Sequence, residues 1–301
     1  MILGLLFWFL PEGGVVEGML RIPPLQFMIV FLLFLVGHGV SAAKWWNLLD
    51  RGFPAGVALR AHFAGLAANL CLPGVAGGDA VRAGIAWRAA GDGAKVTAGS
   101  AADRLIDLVA LATLCIAGAA ALAAWGGGDS GLPVLPAALL MVFCVGAVFL
   151  FAPVAQFICR RFPRLPGHGA VLKLALSFDT LARRPLLLAG TLLVSLAVQA
   201  GFLTLAYWLA KSVGVSVPWL AWAFAWSLAK IIAVLPVSLG GLGVREASLA
   251  ALLTPLGADA AQVVAAGLAW QAVLFLTGGL GALVLALTGG GLLEPAVEPG
   301  E

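Results

Sequence analysis

Apolar stretches of about 20 residues, the length that crosses a bilayer, recur along the chain at about 24–43, 101–125, 134–158, 186–210 and 262–287. They predict five membrane-spanning helices. Two further apolar regions, 55–88 and 217–254, are broken in the middle by Pro and Gly, in LPGVAGGDAVR and LPVSLGGLGVR. Such a break removes backbone hydrogen bonds inside the membrane, which is tolerated only where protein or a water-filled cavity satisfies the freed groups. Each region therefore reads as a re-entrant hairpin of two half-helices. The N-terminal MILGLLFWFLPEGG has neither a basic region ahead of its apolar run nor a small-residue cleavage pattern. Segment 1–23 is thus expected to be a short anchor or half-span, not a removable signal peptide.

Composition turns this pattern into a class. The chain of 301 residues is 62% hydrophobic and 10% charged, with a mean hydropathy of +1.07. Soluble domains carry roughly a quarter charged residues, so a soluble fold is excluded and a polytopic membrane protein remains. A formal charge of +3, from 17 Lys+Arg against 14 Asp+Glu, is too small to imply a nucleic-acid partner. Placement carries more information, because cytoplasmic loops collect Lys and Arg. Lys44, Arg51 and Arg60, then Arg88 and Lys95, then Arg160, Arg161, Arg164, Lys173, Arg183 and Arg184 make three clusters. Placed inside, they let every span alternate. The first hairpin then enters and leaves on the cytoplasmic side, the second on the outer side, and the tail 289–301 ends in the cytoplasm.

Leu72, Pro73, Gly77, Gly78, Val81 and Arg82 recur at identical spacing as Leu235, Pro236, Gly240, Gly241, Val244 and Arg245, sharing LPxxxGGxxVR. Each copy sits in a larger unit of span, broken hairpin and span. The units are 24–125 and 186–288, joined by 126–185, which holds the span 134–158 and a basic, mildly amphipathic segment, KLALSFDTLARR, suited to the inner membrane surface. Three crossings separate the hairpins, an odd number, so the two units are expected to be inverted repeats. The predicted fold class is all-α and polytopic, with substrate sites of such architectures lying at the repeat interface near the midplane.

Polar residues inside the hairpins are the candidates for chemistry, since each costs about 2.5–3.5 kcal/mol at the bilayer centre on insertion scales unless it faces protein or water. Arg82 and Arg245 follow the Gly-Gly breaks, Gly77 and Gly78 or Gly240 and Gly241, near half-helix starts whose free N–H groups favour anions. A guanidinium suits a phosphate head group. The bland alternative pairs each Arg with Asp79 or Glu246. Asn69 and Lys230 lie on the entering half-helices. In SAADRLID, at the start of a span, Ser100, Arg104 and Asp107 share a helical face that Asp103 adjoins, and these residues either gate or pair with Arg82, or merely mark the interface. Cys71, Cys115, Cys144 and Cys159 stand singly, and His38, His62 and His168 are scattered, so neither a metal site nor a redox pair is expected and no cofactor is implied.

The runs WWNLLDRG, FAGLAANLCLPGVAGGDAVRAG, GSAADRLIDL and LPVSLGGLGVREASL, in this order over about 40–290, resemble the flippase-like membrane family that includes the transmembrane region of lysylphosphatidylglycerol synthases. The resemblance implicates Asn69, Pro73, Gly77, Gly78, Asp79, Arg82, Asp103, Arg104, Pro236, Gly240, Gly241, Gly243, Arg245 and Glu246. Asp79 stands where many relatives have Glu. The chain ends soon after its last predicted span, so the soluble aminoacyl-transferase domain of the synthases, and lipid aminoacylation with it, is not expected.

The leading expectation is a lipid translocase, flippase or scramblase, moving an anionic phospholipid or polyprenyl-phosphate lipid across the bacterial inner membrane. Substrate would bind Arg82, Arg245, Asn69, Lys230 and the paired glycines, with Asp79, Asp103, Arg104 and Glu246 gating or coupling. The alternative is a secondary transporter of a small organic anion, coupled to protons through Asp79, Asp103 or Glu246. A lipid-modifying enzyme is third, because no nucleophile, metal cluster or nucleotide fingerprint stands in the sequence. Expected partners are the anionic lipid and surrounding membrane lipids, with a second copy of the chain or a separate lipid-modifying enzyme as further options.

Overall fold

The computed structural model describes residues 12–72, 76–126, 134–162, 167–234 and 242–288. Among these every regular element is helical. In chain order they are α1 (Glu12–Leu20), α2 (Pro24–Leu48), α3 (Ala55–Cys71), α4 (Ala76–Ala90), α5 (Gly93–Gly126), α6 (Leu135–Arg161), α7 (His168–Ala182), α8 (Pro185–Val213), α9 (Trp219–Ile232), α10 (Val244–Leu253) and α11 (Ala260–Thr288), with a 3-10 turn at Thr254–Leu256. Five of them, α2, α5, α6, α8 and α11, are long and apolar enough to span a bilayer. Of the expected N-terminal anchor only 12–23 is described; the tail 289–301 and the breaks bearing Pro73, Pro236, Gly240 and Gly241 lie outside the described residues.

Proline sets the helix starts. Pro24 and Pro185 open α2 and α8, while Pro54 and Pro218 cap α3 and α9, positions where a missing N–H costs nothing and the fixed φ favours the helix. Gly214, at φ 110°, ends α8 in the left-handed region that other residues avoid.

Two span limits differ from the sequence expectation. Helix α2 continues through AAKWWNL to Leu48, and α5 begins at Gly93. At 1.5 Å per residue α5 is about 50 Å long, so it outreaches the hydrocarbon core. Lys44 consequently sits within a helix and is buried, whereas its charge alone marks it as a loop residue. Likewise Asp103, Arg104 and Asp107 lie about three to four turns inside α5, not in its first turn, because weak helix formers at 93–100 still propagate once the apolar stretch is helical.

Packing is reciprocal. The limb α3 lies against α11, the limb α9 lies against α5, and α2 crosses α8. Small residues permit the two limb contacts. A Cβ on Gly118 of α5 would come within 2.8 Å of the Phe224 backbone nitrogen in α9, and one on Gly281 of α11 would collide with the Phe63 carbonyl oxygen in α3. Close backbone approach of this kind is how helices associate in lipid, where no hydrophobic drive acts between them. Between these contacts Phe34, Phe202, Trp226 and Trp270 form an aromatic core, with Phe34 and Trp270 edge to face at 5.0 Å between centroids. Outward faces stay apolar, as with Val142, Phe143 and Phe157 on α6. Helix α7 packs on α5 and α6 through Ala175, Phe178 and Leu181.

Candidate functional site

The buried charges fall into two self-neutralising groups, and one further residue belongs to neither. The first group joins α2, α4, α5 and α8. Lys44 Nζ lies 2.9 Å from Asp103 Oδ1 and 2.5 Å from Asp107 Oδ1, and it donates to Ser195 Oγ at 2.8 Å. Arg82 Nη2 donates to Asp103 Oδ2 at 3.1 Å and lies 3.6 Å from Asp79 Oδ1. Arg104 Nε donates to Asp79 Oδ2 at 2.8 Å, and its Nη2 reaches Asp79 Oδ1. Three cations therefore face three carboxylates. The Arg82 guanidinium also lies 4.5 Å from the centroid of Trp45, whose indole donates to Ser100 Oγ at 3.0 Å. Balance of this kind is what a buried ion needs, because an unpaired one keeps several kcal/mol of desolvation cost.

Asn69 and the first glycine pair build the hairpin that carries Arg82. Gly78 N donates to Asn69 Oδ1 at 3.0 Å, tying the start of α4 to the end of α3. A Cβ on Gly78 would collide with Asn69 Oδ1 and the Gly65 carbonyl oxygen, and one on Gly77 would sit 2.5 Å from Leu72 Cβ. Both glycines are packing positions inside α4. Since α4 begins at Ala76, Arg82 lies on its second turn, beyond the first-turn reach of free N–H groups.

The second group joins α10 to α11. Arg245, in the first turn of α10, pairs with Glu246, with Nε 3.1 Å from Oε1. It also donates to the Gly267 carbonyl oxygen at 3.1 Å and Gln271 Oε1 at 3.0 Å. Gly243 N, at φ 83°, donates to Glu246 Oε2 at 2.7 Å. Glu246 is fully buried. The positive end of α10 favours this carboxylate and disfavours the arginine, so the pair is held by its neutrality and by acceptors from α11.

Lys230 is different. It occupies the last turn of α9, a helix otherwise buried from Ala221 to Ala229. Its Nζ donates to Gln199 Oε1 of α8 at 2.7 Å and lies 5.6 Å from the Phe202 ring centroid. Among the described residues no carboxylate is within ion-pair distance of it. The field at Lys230 includes Asp107 and Arg104 from the first group and Arg245 from the second. The negative end of α9 offsets part of its charge, and an ammonium with one acceptor retains donors for a ligand.

The structure thus brings Asp79, Arg82, Asp103 and Arg104 into one network, pairs Arg245 with Glu246, and leaves Lys230 outside both groups. Asp107, a candidate with the rest of SAADRLID, joins the first group, and Lys44, Ser195, Gln199 and Gln271 complete the arrangement without having been sequence candidates. Only Lys44 carried a usable signal, a cation immediately before two tryptophans at the end of an apolar stretch. The histidines, scattered in sequence, include a bonded pair, with His38 Nδ1 3.0 Å from His62 Nε2.

A chain whose described residues are all-helical with five candidate spans and a buried charge network is an integral membrane protein. Its family follows from the family model described as lysylphosphatidylglycerol synthase TM region, which matches residues 1–281. The chain belongs to that family, a membrane family related to lipids. No curated protein matches it.

Proposed function

We propose that this protein is a lipid translocase, not an enzyme, that carries an anionic phospholipid or polyprenyl-phosphate lipid across the bacterial inner membrane. The observation that carries the reading is Lys230. Both arginines are already matched by carboxylates, whereas Lys230 has none beside it among the described residues. An anionic head group would complete the local balance there, and Arg82 and Arg245 could exchange a carboxylate for phosphate as it passes. Membership of a lipid-related family supports a lipid as the substrate.

The architecture in this reading is a pair of inverted repeats, α2–α5 and α8–α11, each with a re-entrant hairpin. Reciprocal packing of α3 on α11 and α9 on α5 supports it. So does register. Gly118 and Gly281, which seat those limbs, are as far apart in the chain as Arg82 and Arg245. The head group would cross between the units while its chains stay in lipid, and rocking one unit on the other would alternate access. The soluble-anion alternative assigns proton carriage to Asp79, Asp103 or Glu246. Each is held by an arginine or lysine, so that alternative takes second place.

The test is leaflet exchange of a fluorescent phosphatidylglycerol in liposomes containing the full chain, beside Arg82→Ala, Arg245→Ala and Lys230→Met. Exchange by the wild type that drops in the variants supports the reading. Equal exchange by all four proteins, or none by the wild type across phospholipids and polyprenyl phosphates, removes it.

A further inference from the structure

His38 on α2 and His62 on α3 form a nitrogen-to-nitrogen hydrogen bond of 3.0 Å. His38 lies about 15 Å of helical rise from the Leu48 end of its span, well within the membrane. Phe34 meets the His38 ring edge-on at 4.5 Å between centroids, Phe202 lies at 5.1 Å, and Phe63 borders His62. The remaining ring nitrogen of His62, Nδ1, is buried and has no partner among the described residues. An apolar cage around two polar rings, one with an unused nitrogen, is a costly arrangement that packing alone does not explain.

The chemistry of the contact limits what it can hold. A bond between two imidazoles needs one N–H and one lone pair. When neutral, each ring carries one proton. One more makes an imidazolium that donates to its neutral neighbour, but a further one would set two N–H groups head to head. The pair therefore holds a single exchangeable proton and titrates as a unit. A proton arriving at one outer nitrogen can leave from the other after the central N–H···N bond reverses, with only N–H bonds made and broken.

The charges reaching this pair are Lys230 from α9, Asp107 and Arg104 from α5, Arg82 from α4 and Lys44 from α2, while α8 contributes the neutral Phe202, and Trp270 of α11 packs behind it on Phe34 and Phe202. Lys230 repels a proton on the pair. An anion bound at Lys230 cancels that repulsion, and by linkage a proton on the pair strengthens anion binding by the same factor. We propose that the His38–His62 pair is the proton site of transport, loading one proton when an anionic head group reaches Lys230 and releasing it with that head group on the other side. This rests on the translocase reading and supplies its driving force. A monoanionic head group and one proton move together without net charge.

Two measurements test the coupling. In the ¹⁵N-histidine-labelled full chain in nanodiscs, with His168→Gln leaving only the pair, the ring nitrogens of both residues should report one shared protonation step, which moves when short-chain phosphatidylglycerol is added. Rings that take up no proton between about pH 4 and 9, or that titrate independently, overturn the proposal whatever the transport result. In liposomes, one unit of pH gradient should drive fluorescent phosphatidylglycerol to about a tenfold leaflet asymmetry, the value for one proton per lipid. His38→Gln and His62→Gln should abolish that asymmetry. Wild-type exchange with the same final distribution with and without a gradient overturns the coupling alone, whereas no exchange under any gradient overturns the translocase reading and the coupling with it.

Discussion

Lys44 and Asp107, on adjacent spans, are joined by an ion pair of 2.5 Å, and Ser195 from a third span hydrogen-bonds both. Lys44 also pairs with Asp103, so replacing Asp107 leaves the lysine a carboxylate, whereas replacing Lys44 leaves Asp107 without its cation. Lys44→Met should therefore destabilise the protein by ~3–5 kcal/mol, read as a drop in the thermal unfolding temperature in detergent. Lys44→Met combined with Asp107→Leu should lose less than the two single changes added together, because the coupled charges leave as a unit. Additive losses would show that the pair contributes no mutual stabilisation.

Lys230 should behave in the opposite sense. With no carboxylate beside it among the described residues, Lys230→Met removes a half-buried charge and is expected to leave thermal stability unchanged or raised while lipid exchange falls at least about tenfold, the rate equivalent of ~1.4 kcal/mol. Lys230→Arg should retain part of the activity. A variant that unfolds more easily than the wild type would mean that the lysine is a structural partner.

The limb contacts give a packing test. Gly118→Ala places a Cβ 2.8 Å from backbone nitrogen and Gly281→Ala drives one into a carbonyl oxygen, and neither backbone can yield cheaply. Each should cost ~1–3 kcal/mol by overpacking. Gly190 and Gly279 face open space, so Ala there should be neutral or stabilising by up to ~1 kcal/mol through helix propensity. Equal effects at all four positions would discount the close approach.

Asp50 sets a pH dependence at the membrane surface. It follows α2 with φ 54°, next to Arg51 at φ 56°, a strained left-handed pair for residues with a Cβ. Burial alone would raise its carboxyl, but hydrogen bonds from Arg184 and Lys95 outweigh that and hold it below the ordinary range. Lys95 Nζ lies 3.0 Å from Asp50 Oδ2, and Arg184 pairs with Oδ1, so one carboxylate ties the turn after α2 to the starts of α5 and α8. A lowered folded value contributes stability above the unfolded value of about 3.9, lost as pH falls through the folded one. Melting temperature should thus be flat near neutrality and decline below about pH 4, with a shallower decline in Asp50→Asn. Identical acid profiles would show that Asp50 is not a source of the decline.

Much of this protein was legible before folding. Leu-, Val- and Ala-rich stretches of bilayer length can do little but span, since a backbone in lipid must satisfy its own hydrogen bonds. The repeated LPxxxGGxxVR marked the two broken apolar regions, and Asp79, Arg82, Asp103 and Arg104 stood out because charges are expensive there. The positions of Lys44 and Asp103 were harder to read. Charge near the end of an apolar window looks the same whether it faces water or another helix, and only the extension of α2 to Leu48 and α5 back to Gly93 distinguishes the two.

Local sequence therefore determined which segments enter the membrane and which residues are costly inside it, because those properties depend on short stretches of chain. Tertiary packing alone decided which charges cancel. It put Ser195 beside Lys44, gave Arg245 acceptors from α11, left Lys230 with an amide in place of a carboxylate, and brought His38 to His62. Ion pairs and proton sites depend on distances of a few ångströms between helices distant in sequence, and those distances exist only once Gly118 and Gly281 let the limbs settle against their neighbours.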